Sequence, residues 1–242
     1  MSVKLIIMFN IILAESALER VPKLLWRHSS VFERAKRLNK QPRQILLDRS
    51  FHHRAMLKLR NGEKRGRPDI VHFCLLEALG TPLNRENMLK ISVHTFDDYI
   101  IYLNPKVRLP RNYDRFVGLI EQMYKLGKII KENVTLLELK KGSLSNLVEE
   151  MKPSYIIALS RIGEPRLLSE ITRILVKKEN PLVLIGAFPK GHFSNKTRKI
   201  SNELISIDPE MLEAWIVTSR LIYEYERTIK LPEKRIKLEN IL

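Results

Sequence analysis

The hydrophobic positions of this chain switch between the short period of strands and the longer period of helices. Val3 to Leu13 is dominated by leucine, isoleucine and valine and reads as a buried first strand; its apolar run is far too short to cross a bilayer. Ala14, Glu15 and Ser16 follow at its carboxyl end, the edge where open α/β sheets hold ligands, although Ser16 and Glu19 equally suit the start of a short helix. Pro68 has the fixed φ and missing N–H of a first helical residue, and Ile70, Phe73, Cys74 and Ala78 then recur near helical spacing. A buried helix is expected there, ending at Gly80 to Leu83.

Met88 to Thr95 and Tyr99 to Leu103 read as a hairpin turning at Phe96, Asp97 and Asp98. Asn112 is a good cap for a helix whose core-facing stripe is Phe116, Leu119, Ile120, Met123 and Tyr124. Strand and helix patterns then alternate over Thr135 to Leu139, Leu144 to Met151, Tyr155 to Leu159, Leu167 to Lys177 and Leu182 to Phe188, which predicts an α/β parallel sheet with helices packed on it. Ser160 to Glu164 and Gly186 to Gly191 fall as loops after two of these strands. Asp208 and Pro209 predict the start of the last long helix, with Leu212, Trp215, Ile216, Ser219, Ile222 and Tyr223 facing inward. After Arg227 the pattern weakens, so 228–242 is expected as a loosely docked tail.

With 242 residues, 44% hydrophobic and 29% charged, the chain suits one globular domain over 1–242, and it contains no internal repeat or glycine-serine linker. The net charge of +16 changes the picture, because such an excess favours a polyanion partner. It is local. Between residues 27 and 67 stand thirteen lysines and arginines against three acids, a net +10, so 27–67 is expected as a basic elaboration facing RNA; one solvated helical face is the plainer alternative. Cys74 is the only cysteine, which rules out an internal disulfide and is consistent with a cytoplasmic protein. Neither it nor the six histidines show metal-ligand spacing, so no metal is expected. His52 and His53 are adjacent and point apart on a helix; one is expected to pack internally.

Arg67 and Asp69 flank Pro68, placing a guanidinium and a carboxylate beside a helix N-terminus where backbone donors collect. Local evidence also fits a solvated arginine and an aspartate that only complements the helix dipole. Arg108, Arg111 and Arg115 crowd the start of the helix capped by Asn112, where the dipole disfavours cations. Bound phosphate explains them; salt bridges to Asp97, Asp98 or Asp114 are the alternative. The glycine-containing loops match no Walker or dinucleotide fingerprint, yet their small residues let backbone groups approach a nucleoside-sized cofactor.

The stretch RGRPDIVHFCLLEALGTPLN (65–84) resembles the signature of the ribosome-biogenesis methyltransferases that modify N1 of a pseudouridine in small-subunit ribosomal RNA, a family of the SPOUT, or α/β-knot, superfamily. LIIMFNIILAESALERVP, ILLDRSFHHRAM, VHTFDDYIIYLNPKVRLPRNYDRFVGLIEQMY and IGAFPKGHFS match in the same order, so the resemblance spans nearly the whole chain. It implies a mostly parallel sheet with helices on both faces and a C-terminal trefoil knot, an exception to the usual avoidance of knots. It also implies a homodimer acting on ribosomal RNA; a loop is the expected substrate because unpaired bases can be splayed into a pocket, and a membrane partner is not expected because the positive charge is not confined to one amphipathic helix.

S-adenosylmethionine is the implied cofactor and S-adenosylhomocysteine the product. The implied pocket draws on Leu159, Ser160, Gly163, Ile185, Gly186, Ala187, Phe188, Ile207, Met211 and Leu212. For that reaction Asp69 is the candidate base or the residue that orients the N1–H, and Arg67 the candidate for steadying charge on the base or gripping its phosphate, while Arg65, Arg67, Arg108, Arg111 and Arg115 are expected in RNA recognition. The chain departs from the family at Glu213, where a small hydroxyl residue is common. The competing reading is a non-catalytic RNA-binding assembly factor, which needs the same positive surface and no cofactor pocket.

Overall fold

β1 (Phe9–Ser16) is buried along its whole length, as expected of a strand with parallel neighbours on both sides and helices over both faces. The structure, a computed structural model, describes residues 8–239; the expected start of this strand at Val3 lies outside them. The strand runs on through Glu15 and Ser16. No short helix follows: Ser16 donates through Oγ to the Leu13 carbonyl, and Glu19 accepts both Nε and Nη2 of Arg65.

Residues 20–66 fold mainly as a small helical lobe around α1 (Ser29–Arg37) and α2 (Arg49–Met56). Its core is its own, built from Val21, Leu25, Val31, Ile45, Leu47 and Met56 among others. The backbone then enters α3 (Pro68–Gly80), with Pro68 at its first position, and a short α4 (Pro82–Arg85). Phe73, expected inside, is 45% exposed; α3 is apolar nearly all round, so spacing alone does not single out its buried face. β2 (Leu89–Thr95) and β3 (Tyr99–Leu103) form the expected antiparallel hairpin, and α5 (Tyr113–Leu126) starts where Asn112 accepts the Arg115 N–H. β4 (Lys128–Lys131) and β5 (Val134–Lys141) make a hairpin at the sheet edge. Only Thr135 to Leu139 of it is legible from the pattern, because solvent-facing lysines mask the alternation elsewhere.

The remaining elements are α6 (Leu144–Met151), β6 (Tyr155–Pro165), α7 (Leu168–Leu175), β7 (Pro181–Gly186), α8 (Asn195–Ile200), β8 (Glu203–Ser206), α9 (Ala214–Thr228) and α10 (Leu231–Glu239). One eight-stranded sheet runs in the order β4-β5-β3-β2-β1-β7-β6-β8. β1 is parallel to β2 and β7, and β6 is parallel to β7 and β8, while β2 to β5 form the antiparallel wing. One face carries the main core under α3, α5, α7 and α9; the other packs against α6 and α8.

Three sequence expectations change here. Ser160 to Glu164 is not a plain loop after a strand, since β6 extends to Pro165 and pairs twice with β8. The last long helix starts at Ala214, not at Pro209: Asp208 accepts the Glu210 N–H and its carbonyl accepts Ser206 Oγ, closing a local turn in place of a helix start. The later start rotates the buried stripe. Ala214, Thr218, Leu221, Ile222, Tyr225 and Glu226 face inward, whereas Ile216 and Tyr223 are exposed. Within the stretch expected as a tail, α10 buries Leu231 and pairs Arg235 with Glu86, and residues 240–242 lie outside the described residues.

Candidate functional site

The carboxyl ends of β6, β7 and β8 surround a cavity of ≈ 180 Å³. It is opened by a detour in β6. Leu159 pairs with Ile205, the chain leaves the ladder for residues 160–163, and Glu164 returns to pair with the same Ile205. Gly163 makes this possible: a Cβ there would lie 2.5 Å from the Ile205 backbone, closer than atoms can pack.

Leu159, Ser160, Ile185, Gly186, Phe188, Ile207, Met211 and Leu212 all line this cavity, as the resemblance implies. Gly163 and Ala187 are not among its lining residues. Gly163 instead supports the close crossing, and Ala187 is fully buried, its N–H donating to the Ala14 carbonyl and its own carbonyl accepting from Ala17. At Gly186 an added Cβ would come 2.8 Å from the Phe188 ring, so a hydrogen here lets that ring close the wall. Apolar residues such as Leu159, Ile185 and Phe188, interspersed with charged ones such as Arg161, Lys190 and Asp208, suit a ligand with both a flat apolar part and polar groups, as a nucleoside has.

The loop after β7 is fastened from the lobe by Lys64, one of many basic residues in its stretch and not singled out by pattern. Lys64 donates through Nζ to Glu15 Oε2 at 2.7 Å and to the His192 carbonyl at 2.8 Å, and lies 3.9 Å from the centre of the Phe188 ring. Glu15 also accepts from Ser194 N–H and Thr197 Oγ1. Burial acts to raise its carboxyl pKa, but these hydrogen bonds outweigh burial and leave it lowered. The only advance signal was the position of Glu15 at the carboxyl end of the first strand.

Beside the cavity stands the start of α3. Ile70 lines the wall, and one residue earlier Asp69 is held by Arg67: Nε donates to Oδ1 at 2.8 Å and Nη2 to Oδ2 at 2.7 Å. The Arg67 backbone N–H is fixed on the Ala17 carbonyl. Its guanidinium pKa is raised, chiefly by the hydrogen bonds to Asp69, with further contributions from the charges of Glu213 and Asp48. Both side chains remain partly accessible to solvent.

Arg108, Arg111 and Arg115 are all exposed. None forms a salt bridge among the described residues, so the expected alternative pairing with Asp97, Asp98 or Asp114 does not occur. Their loop lies against α3, where His72 Nε2 meets the Pro110 carbonyl at 2.7 Å and its ring stacks on Phe116 at 4.2 Å. Arg65 differs. Its fork grips Glu19 at 2.6 Å on both oxygens and its guanidinium lies over Phe96, so it ties the lobe to β1 instead of presenting a free cation.

Tyr113, unassigned from sequence, donates through its hydroxyl to Asp48 Oδ2 at 2.6 Å and joins α5 to the cap of α2. His52 is the internal member of the histidine pair: Nδ1 accepts the Asp48 N–H, and burial lowers its pKa to about 4. Burial pushes the Cys74 thiol up to about 12, which removes it as a nucleophile. Among the described residues no cluster of three or more His, Cys, Asp or Glu is placed to hold a metal, and no helix is long and apolar enough to cross a membrane.

An α/β sheet with a cavity at its carboxyl edge, and an arginine–aspartate pair beside that cavity, is the arrangement of a ligand-binding α/β domain. Residues 11–226 match the model of the EMG1/NEP1 methyltransferase family, and the chain belongs to that family. It is 40% identical over 222 residues to the ribosomal RNA small subunit methyltransferase Nep1 of Thermococcus onnurineus, covering 92% of this chain and all of the relative. The protein of the same name from Staphylothermus marinus is 45% identical over 214 residues, covering 88% of this chain and 93% of that one. Among solved structures, Archaeoglobus fulgidus Nep1 bound to S-adenosylhomocysteine superposes with a TM-score of 0.81 at 37% identity, covering 91% of this chain and 98% of that chain.

Proposed function

We propose that this protein transfers a methyl group from S-adenosylmethionine to N1 of a pseudouridine in a loop of small-subunit ribosomal RNA during ribosome assembly in the cytoplasm. The observation that carries the reading is the adjoining of two parts, a cavity lined by eight of the ten expected cofactor residues and the Arg67–Asp69 pair next to its Ile70 wall. The Archaeoglobus relative, solved with S-adenosylhomocysteine, supports the cofactor, and the names of the relatives support the RNA. A purely RNA-binding assembly factor would have no use for the cavity.

Bound S-adenosylmethionine supplies an electrophilic methyl group on a sulfonium. The chain's residues have to bring a weakly acidic N–H to it. Asp69, both of whose oxygens already lie on Arg67, keeps lone pairs that accept the N1–H and orient the base, or take its proton as the new bond forms. Arg67 remains cationic and offsets charge developing on the base carbonyl beside N1. The exposed arginines Arg108, Arg111 and Arg115 hold phosphates near the N-terminus of α5. A loop is the preferred substrate because its bases enter a pocket without first being unpaired.

We read the return of β6 past β8 at Gly163 as part of the family's trefoil knot. Two further features support a homodimer: Tyr223 and Ile216 are exposed seven residues apart on α9, and the partly exposed Phe73 packs edge-on against Trp215 at 5.2 Å. A second copy of this face would cover them. Calorimetric titration with S-adenosylhomocysteine tests the cofactor assignment. Saturable binding near one per chain, lost in Gly186→Leu, is expected; no binding would contradict it.

A further inference from the structure

Glu213 occupies the cap position of α9 without capping it. Its backbone carbonyl accepts the Ile216 and Val217 N–H groups, yet its side chain makes no capping hydrogen bond and no salt bridge among the described residues. Caps are normally short side chains that fold back onto the first turn, and glutamate is too long for that purpose. Its exposed carboxylate is therefore uncommitted. Glu213 and its neighbours Ala214 and Val217 line the cavity. Ile70, the residue after Asp69, lines the same cavity, and the negative charge of Glu213 helps to raise the Arg67 pKa. Of the other acids lining the cavity, Asp208 is engaged with the Glu210 N–H.

This placement matters for the charge of what binds, and the inference rests on the methyltransferase reading above. A methyl group bound for a base held by Asp69 must be presented on the cavity wall nearest that residue, and the atom carrying it is a sulfonium cation. The demethylated product has the same adenosine and amino-acid parts but a neutral thioether. We infer that Glu213 makes the cavity selective for the cationic cofactor over its neutral product, by attracting the sulfonium that only the cofactor carries.

The ratio of the two affinities isolates this effect, since every other interaction is shared. Calorimetry with S-adenosylmethionine and with S-adenosylhomocysteine, on the full chain without RNA, measures it. Glu213→Gln is expected to lower the preference for the cation by about threefold to tenfold while leaving product affinity within about twofold, the size of one partly solvated charge pair. Added salt should erode the preference in the unaltered protein and not in the variant. Glu213→Ser, which supplies a capping hydroxyl, should behave as Glu213→Gln does and guards against an effect of helix fraying. An unchanged ratio in both variants would overturn the inference. So would an equal fall in Glu210→Gln, which would show that the general charge of the cavity is responsible. Failure of the unaltered protein to bind the product would instead overturn the cofactor reading itself, and the inference with it.

Discussion

Arg67 holds both carboxylate oxygens of Asp69 across the proline that begins α3, at 2.7 and 2.8 Å. The two side chains are thus oriented by a local hydrogen-bonded ring that the backbone of Pro68 keeps in register. Asp69→Asn keeps the size of the side chain but replaces one acceptor oxygen with an NH2 donor, so it loses one hydrogen bond from Arg67 as well as the basic carboxylate. Methyl transfer is expected to fall about a hundredfold or more, the scale of a lost acid–base group, with RNA affinity nearly unchanged. Single-turnover rates alongside RNA binding check this; activity within a few fold of normal would make Asp69 a purely structural residue.

The crossing at Gly163 makes a stability prediction. Gly163→Ala forces a carbon to within 2.5 Å of the Ile205 backbone, which neither strand can give way to without breaking the β6–β8 ladder. The cost is expected to exceed about 2 kcal/mol. Gly118→Ala is the control. That glycine sits mid-helix in α5 with nothing within 4 Å of the added carbon, so the same change there should stabilise by about 0.5–1 kcal/mol. Denaturant midpoints of the two variants should move in opposite directions.

His52 sets a dependence on pH. Its folded pKa of about 4 lies below the ordinary value of 6.5, so the unfolded chain binds a proton that the folded chain refuses. Stability falls as pH drops below about 6.5 and the loss levels off below about 4, amounting to about 3 kcal/mol for this group. Its Nδ1 accepts the Asp48 N–H, so the proton of the neutral ring is on Nε2. Urea unfolding at pH 7 and pH 4.5 should show a smaller difference in His52→Gln than in the unaltered protein. An equal difference would assign the acid sensitivity to other groups.

The exposed arginines of the α5 approach predict a salt effect. Arg111→Ala with Arg115→Ala should weaken RNA binding and reduce the slope of log affinity against log salt by about one for each phosphate left without its arginine. Arg65→Ala should act differently, since Arg65 is bound to a buried Glu19. Removing it leaves a carboxylate unpaired in the interior and costs stability on the order of 3–5 kcal/mol. Melting curves and salt titrations separate the two roles.

What was legible in the sequence was local. Pro68 with its charged neighbours, Asn112 as a cap, and the hairpin around Asp97 depend on residues a few positions apart, and all appear where their chemistry puts them. The misplaced elements depend on partners far along the chain. Glu226 reads as a solvent residue until its carboxylate is seen to accept the Leu83 N–H, and Tyr225 is drawn inward by stacking on Phe9 at 4.1 Å. Asp208 and Pro209 are a sound helix start that a local turn pre-empts. The candidate site divides in the same way. Its glycine-bearing loops and arginines stand out as residue types, but only the fold shows that Glu19 claims Arg65 while Arg108, Arg111 and Arg115 form no salt bridge among the described residues.

Methylation of a pseudouridine at N1 is read out with two RNA hairpins of identical sequence. One carries pseudouridine in its loop and the other uridine. Each is incubated with the protein and S-adenosylmethionine, and nucleoside mass spectrometry follows. One methyl group is expected on N1 of the pseudouridine and none on the uridine RNA, which has a glycosidic bond where that N–H would be. Methylation of both RNAs, or of neither under conditions where the protein binds cofactor and RNA, would contradict the proposed function.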